Sequence, residues 1–160
     1  MDKTALLQQV LAQLQHLHDI AREAAQTAYE TATDEQNIAE NKYDTLGLEA
    51  SYLATGQARR AEELRLALAT WKQLVLRPFA PEAGIQLGAL VCLADAEDRH
   101  QWLFLGPEGA PMKLQQDGQS VQVIGPQAPL GRALLGKACG DEVNIAVGQL
   151  RHRYEVLQVE

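Results

Sequence analysis

The placement of proline constrains this chain more than any other feature. All six prolines and ten of the twelve glycines fall after residue 76, whereas Asp2 to about Leu76 is built almost wholly of helix formers, with Gly47 and Gly56 as weak points. A stretch of that length without proline can run as long helix, because nothing in it removes a backbone donor or clashes with the preceding turn. The boundary therefore lies near Arg77-Pro78, with a helical part over 1–77 and a second part over 78–160.

In the helical part, Leu7, Val10, Leu14, Leu17, Ala21, Ala24 and Ala28 are spaced alternately by three and four, the apolar seam of a heptad coiled coil. A second seam runs through Ala61, Leu64, Leu68, Trp71 and Val75, with Leu46, Ala50 and Leu53 extending it backwards. Large residues sit at the outer ends of both seams and alanines toward the middle, so an antiparallel pair would match layer for layer. Folding Leu7 onto Val75 puts the midpoint at residue 41, and Asn37 and Asn41 suit the turn because Asn tolerates the left-handed conformation. Arms of about 30 residues at about 1.5 Å per residue predict a hairpin on the order of 45 Å long.

The turn of this hairpin is acidic. Glu30, Asp34, Glu35, Glu40, Asp44 and Glu49 are opposed only by Lys42, a local net charge of −5. A charge cluster is ordinarily a solvated surface. The alternative is a probe that carries carboxylates into a narrow site, and carboxylates are the hard oxygen ligands that Mg²⁺ takes together with substrate phosphates.

After Pro78 and Pro81 the period shortens to β-like runs at Ile85–Leu93, Gln101–Leu105, Val121–Ile124, Val143–Val147 and Arg153–Val159. Asp117-Gly118, Gly125-Pro126 and Gly148-Gln149 are among the turn signals between them. The last run changes phase between Val156 and Leu157, which predicts a bulge or burial on both faces. Pro129 to Leu135 reads as one short helix, with Pro in its first turn and Gly136 just past its end. The expected fold class is α+β: an antiparallel coiled-coil hairpin, then a small antiparallel β domain with one helix.

Composition narrows the function. A net charge of −7 and a pI near 5.1 oppose autonomous binding to nucleic acid or anionic lipid. No window suits a membrane span, and the N-terminus carries no signal-peptide pattern. Cys92 and Cys139 match neither a metal spacing nor a disulfide framework, so a cytoplasmic location is expected. Gly131 to Lys137 fits Gly-x-x-x-x-Gly-Lys, but Ala138 offers no hydroxyl to Mg²⁺ and Leu134-Leu135 reads as a buried helix face. His16, His18, His100 and His152 are scattered without metal spacing.

The stretch Ala128-Pro-Leu-Gly-Arg-Ala-Leu-Leu-Gly-Lys-Ala-Cys-Gly-Asp-Glu-Val143 resembles the signature Ser-Pro-Leu-Gly-x-Ala-Leu-Leu-Gly-Lys-x-x-Gly-Asp-x-Val of the GreA/GreB transcription elongation factors. Leu87-Gly88-Ala-Leu-Val91 and Arg153-Tyr154-Glu155-Val156 flank it as in that family, behind a helical hairpin. The resemblance implies an FKBP-like C-terminal domain that docks on RNA polymerase and a coiled coil that enters its secondary channel. There the tip acids help hold the second Mg²⁺ of the polymerase active site, and the polymerase cleaves backtracked RNA. No catalytic residue and no intrinsic cofactor belong to the factor itself, and the nascent RNA 3′ end is met only indirectly. By this resemblance the metal-directed candidates are Glu40, Asp44, Asp34 and Glu35, within a tip at 34–44 that also holds Asn37, Asn41 and Tyr43. Pro129, Leu130, Gly131, Leu134, Gly136, Lys137, Gly140 and Asp141 are the candidates for polymerase binding.

The tip departs from the family pattern Asp-Leu-x-Glu-Asn-x-Glu-Tyr. Glu40 and Asn41 are preserved, Asn37 replaces the Asp, and Tyr43 falls one place early. A neutral amide oxygen in place of a carboxylate lowers metal affinity, so a channel binder that inhibits polymerase or antagonises Gre factors stays open beside cleavage stimulation. Two further readings are weaker. The β half holds too few aromatic residues for a prolyl-isomerase pocket, and pairing of the heptads between chains is disfavoured by the mirrored seams, which predict a monomer.

Overall fold

The computed structural model describes residues 1–34 and 45–160. Helix α1 spans Lys3–Thr33 and helix α2 spans Leu46–Lys72. Asp2 starts α1: its carboxylate accepts from the backbone N–H of Thr4 at 2.8 Å and of Ala5 at 3.3 Å, satisfying donors the first turn leaves open. At α2, Thr45 precedes the first turn and donates its hydroxyl to Glu49 at 3.2 Å. No described helix is long and apolar enough to cross a membrane.

The described chain divides into two compact units, one of residues 12–69 and one of residues 1–11 with 70–160. In the first, Leu14, Ala21 and Ala28 of α1 and Ala50, Ala61, Leu64 and Leu68 of α2 are buried. The two helices pack side by side, with one groove joining Ile20–Thr31 to Leu46–Leu53 and another joining Asp19–Tyr29 to Ala54–Glu62.

The seams differ from expectation at their ends. Leu6, with Val10, is fully buried in place of Leu7, because the i, i+4 pair faces inward at the start of the helix. Val75 is exposed, since α2 stops at Lys72 and the heptad phase stops with it. Leu46 and Leu53 are half exposed.

The second unit is a six-stranded sheet formed by β1 (Leu90–Ala94), β2 (His100–Leu105), β3 (Lys113–Gln116), β4 (Gln119–Ile124), β5 (Glu142–Val147) and β6 (Leu150–Val159), ordered β3-β4-β2-β1-β6-β5. The expectation of an antiparallel domain is corrected in one respect: β2 and β4 pair in parallel, so the sheet is mixed. The cause is β3, a short polar strand not foreseen in the sequence. The chain leaves β2, forms β3 at the outer edge and turns at Asp117-Gly118, so that β4 returns between them in the direction of β2. The first run also shortens, because Gly84 and Gly88 take positive φ and hold Ile85 outside the sheet.

The phase change in β6 is a bulge. Cys92 pairs with Gln158 but Leu93 with Val156, leaving Leu157 as the extra residue. Helix α3 (Pro129–Leu134) packs beside β5. Leu134 joins Val91, Leu93, Leu103, Leu105, Val143 and Val156 in the core. Elsewhere in this unit the indole of Trp71, fully buried, meets Phe104 with ring centroids 6.0 Å apart and closes over Gly106.

Candidate functional site

The candidate residues of the second unit lie on one continuous element, α3 and the loop that carries the chain into β5. Pro129 opens the helix, its missing N–H falling where no intrahelical acceptor exists. Leu130 packs against the core and Leu134 is fully inside it. Gly131 is buried where a Cβ would collide with the carbonyl oxygen of Gly125.

Gly136, at φ +80, turns the chain out of the helix. Its N–H donates to Ile85 O at 2.9 Å, and Ile85 N–H donates to Lys137 O at 2.8 Å, so the loop is stitched to the segment before β1. At its far end, Gly140 N–H donates to Val156 O at 2.7 Å and Val156 N–H to Asp141 O at 2.9 Å. The Asp141 carboxylate accepts from Ala138 N–H at 2.8 Å, and the Cys139 thiol donates to the bulge carbonyl of Leu157 at 2.9 Å.

This pattern disposes of the phosphate-loop reading. Leu135 N–H goes to Gly131 O, Gly136 N–H to Ile85 O, Lys137 N–H to Leu134 O, and Ala138 N–H to a carboxylate. The donors that would cradle a phosphate are all used within the fold. The exposed residues of this element are Pro129, Arg132, Leu135, Gly136, Lys137, Cys139, Gly140 and Asp141. Arg132 is steadied by the Gln127 side chain at 3.1 Å, and Gln127 N–H by Glu108 at 2.7 Å. The partners of this element, Gly84-Ile85, Gly125 and Glu108, were not legible in the sequence.

The chain matches the family model described as "Transcription elongation factor, GreA/GreB, C-term" over residues 80–160, which contains this element and its partners. The chain belongs to the GreA/GreB family. It is 29% identical over 154 residues to transcription elongation factor GreA of Xanthomonas campestris pv. campestris, covering 95% of this chain and 91% of that protein. It is 26% identical over 150 residues to GreA of Acinetobacter baumannii, covering 92% and 89%. Gfh1 of Thermus aquaticus, a solved structure, is 21% identical over 93% of this chain and 92% of its own, with a TM-score of 0.41.

The tip candidates of this GreA/GreB chain fall mostly outside the described residues: Glu35, Asn37, Glu40, Asn41, Tyr43 and Asp44 all do. Asp34 is exposed just after α1. The flanking acids are tied to their own helices, Glu30 by Gln26 at 2.8 Å and Glu49 by Thr45. Among the described residues no group of three or more His, Cys, Asp or Glu is arranged to hold a metal.

Asp95 and Cys92 of the sheet unit are displaced from their ordinary values. The Arg99 N–H, and then the Arg99 guanidinium, hold the Asp95 carboxyl low in the β1–β2 turn, while burial pushes the Cys92 thiol up.

Proposed function

We propose that this protein is a transcription elongation factor that binds RNA polymerase, inserts its acidic hairpin tip into the secondary channel and stimulates cleavage of backtracked RNA by the polymerase. The observation that carries the reading is the Ala128–Val143 signature, folded as a closed element within the segment that matches the family. The sheet unit supplies the docking surface, with Pro129, Lys137 and Asp141 at its exterior, and the hairpin supplies reach. Glu40, Asp44, Asp34 and Glu35 supply oxygen donors of the kind Mg²⁺ takes. The chain contributes binding and placement, and the bond is broken in the polymerase.

A second reading is favoured by Asn37, which puts one neutral oxygen where the family pattern has a carboxylate. On that reading the protein occupies the channel and opposes authentic Gre factors.

Cleavage in a purified backtracked elongation complex tests both. Accelerated cleavage that Glu40→Ala lowers by at least about tenfold supports the first, and Asn37→Asp is then expected to raise the rate. No cleavage, with suppression of an added authentic Gre factor, supports the second. No effect in either format removes polymerase as the partner.

A further inference from the structure

The unit of residues 12–69 has an open apolar groove between α1 and α2. Ile20 walls it on α1 and Leu46 and Leu53 wall it on α2, exposed by 50%, 51% and 56%. Its floor is made of small residues, with Ala28 and Ala50 buried and Ala24 half buried. Tall apolar walls over an alanine floor accept the ridge of another helix, since small side chains let a backbone approach closely. Among the described residues, the charged ones that line this groove are Glu23 and Glu49, both acidic. Beyond the groove on α2, Arg60 is engaged with Glu63 at 3.4 Å.

We propose that this groove seats a helical segment of a protein partner whose apolar stripe is flanked by lysine or arginine. The walls supply apolar contact, and the two carboxylates supply a sign preference that selects cationic flanks. A second copy of this chain is the poorer occupant, because face-to-face pairing would bring Glu23 and Glu49 of both copies together.

Two dye-labelled synthetic helical peptides with the same Leu/Ala stripe, one flanked by lysines and one by glutamates, test it by fluorescence anisotropy with the full chain at about 0.15 M salt, where long-range attraction is screened. The lysine peptide is expected to saturate and to bind at least about tenfold tighter than the glutamate peptide. Leu53→Asp and, on the opposite wall, Ile20→Asp are each expected to weaken it at least about tenfold with helicity by circular dichroism unchanged, since both side chains already face solvent. Each variant adds negative charge, so non-specific attraction to an acidic protein predicts no loss. Glu23→Gln with Glu49→Gln is expected to erase the preference between peptides. Absence of saturable binding, equal binding of both peptides, or binding that survives both Asp variants overturns the proposal. So does a concentration-dependent mass that Leu53→Asp abolishes, which would make a second copy the occupant.

Discussion

Gly131 and Gly136 stand five residues apart in one signature and are required for different reasons. At Gly131 the backbone is ordinary and the space is absent, so Gly131→Ala forces the Gly125 carbonyl away and is expected to cost about 1–3 kcal/mol in urea unfolding. At Gly136 space is open but φ is +80, so Gly136→Ala carries conformational strain of about 1–2 kcal/mol. The cysteines separate in the same way. Cys139 is exposed while Cys92 is buried with its thiol pushed up by burial, so a disulfide reagent is expected to titrate one thiol rapidly in the native protein and the second only on unfolding. The sequence marked Gly136 as the end of the short helix. It did not mark Gly125 or Gly84 as what the signature glycines pack against, since nothing local records which distant backbone will arrive.

The helices and most of the strands were legible because their periods are long or their punctuation strong. The exception was β3, where only Leu114 of Lys113–Gln116 is buried and alternation cannot be seen in four residues. The bulge in β6 was visible because an extra residue breaks period two wherever both faces are otherwise regular. Within α2, Gly56 sits mid-helix with no atom near its missing side chain. Gly56→Ala is therefore expected to stabilise the protein by about 0.5–1 kcal/mol, read as a raised urea midpoint at constant slope. The apolar seam alone overstated burial at Leu46 and Leu53, because a heptad pattern records which side faces a partner and not whether this chain provides it.

For the molecule as a whole, the boundary near Pro78 marks a change of composition and not the edge of a packed unit. Leu6, Val10 and Trp71 lie before it, belong with the sheet and are fully buried there. A fragment of residues 78–160 lacks all three, and losing the Trp71 side chain alone costs about 3–5 kcal/mol. Against a typical stability of about 5–15 kcal/mol, such a fragment is expected to melt far below the full chain, and one joined to residues 1–11 and 70–77 to recover much of the difference. The strand order has a consequence for biosynthesis. β6 lies inside the sheet between β1 and β5, and β1, its neighbour, is buried at all five positions. During translation the apolar run Leu90–Ala94 has one edge without its final partner until a strand about 60 residues downstream has been made, and an unpaired apolar edge is the kind of surface that invites wrong pairing in a partly made chain.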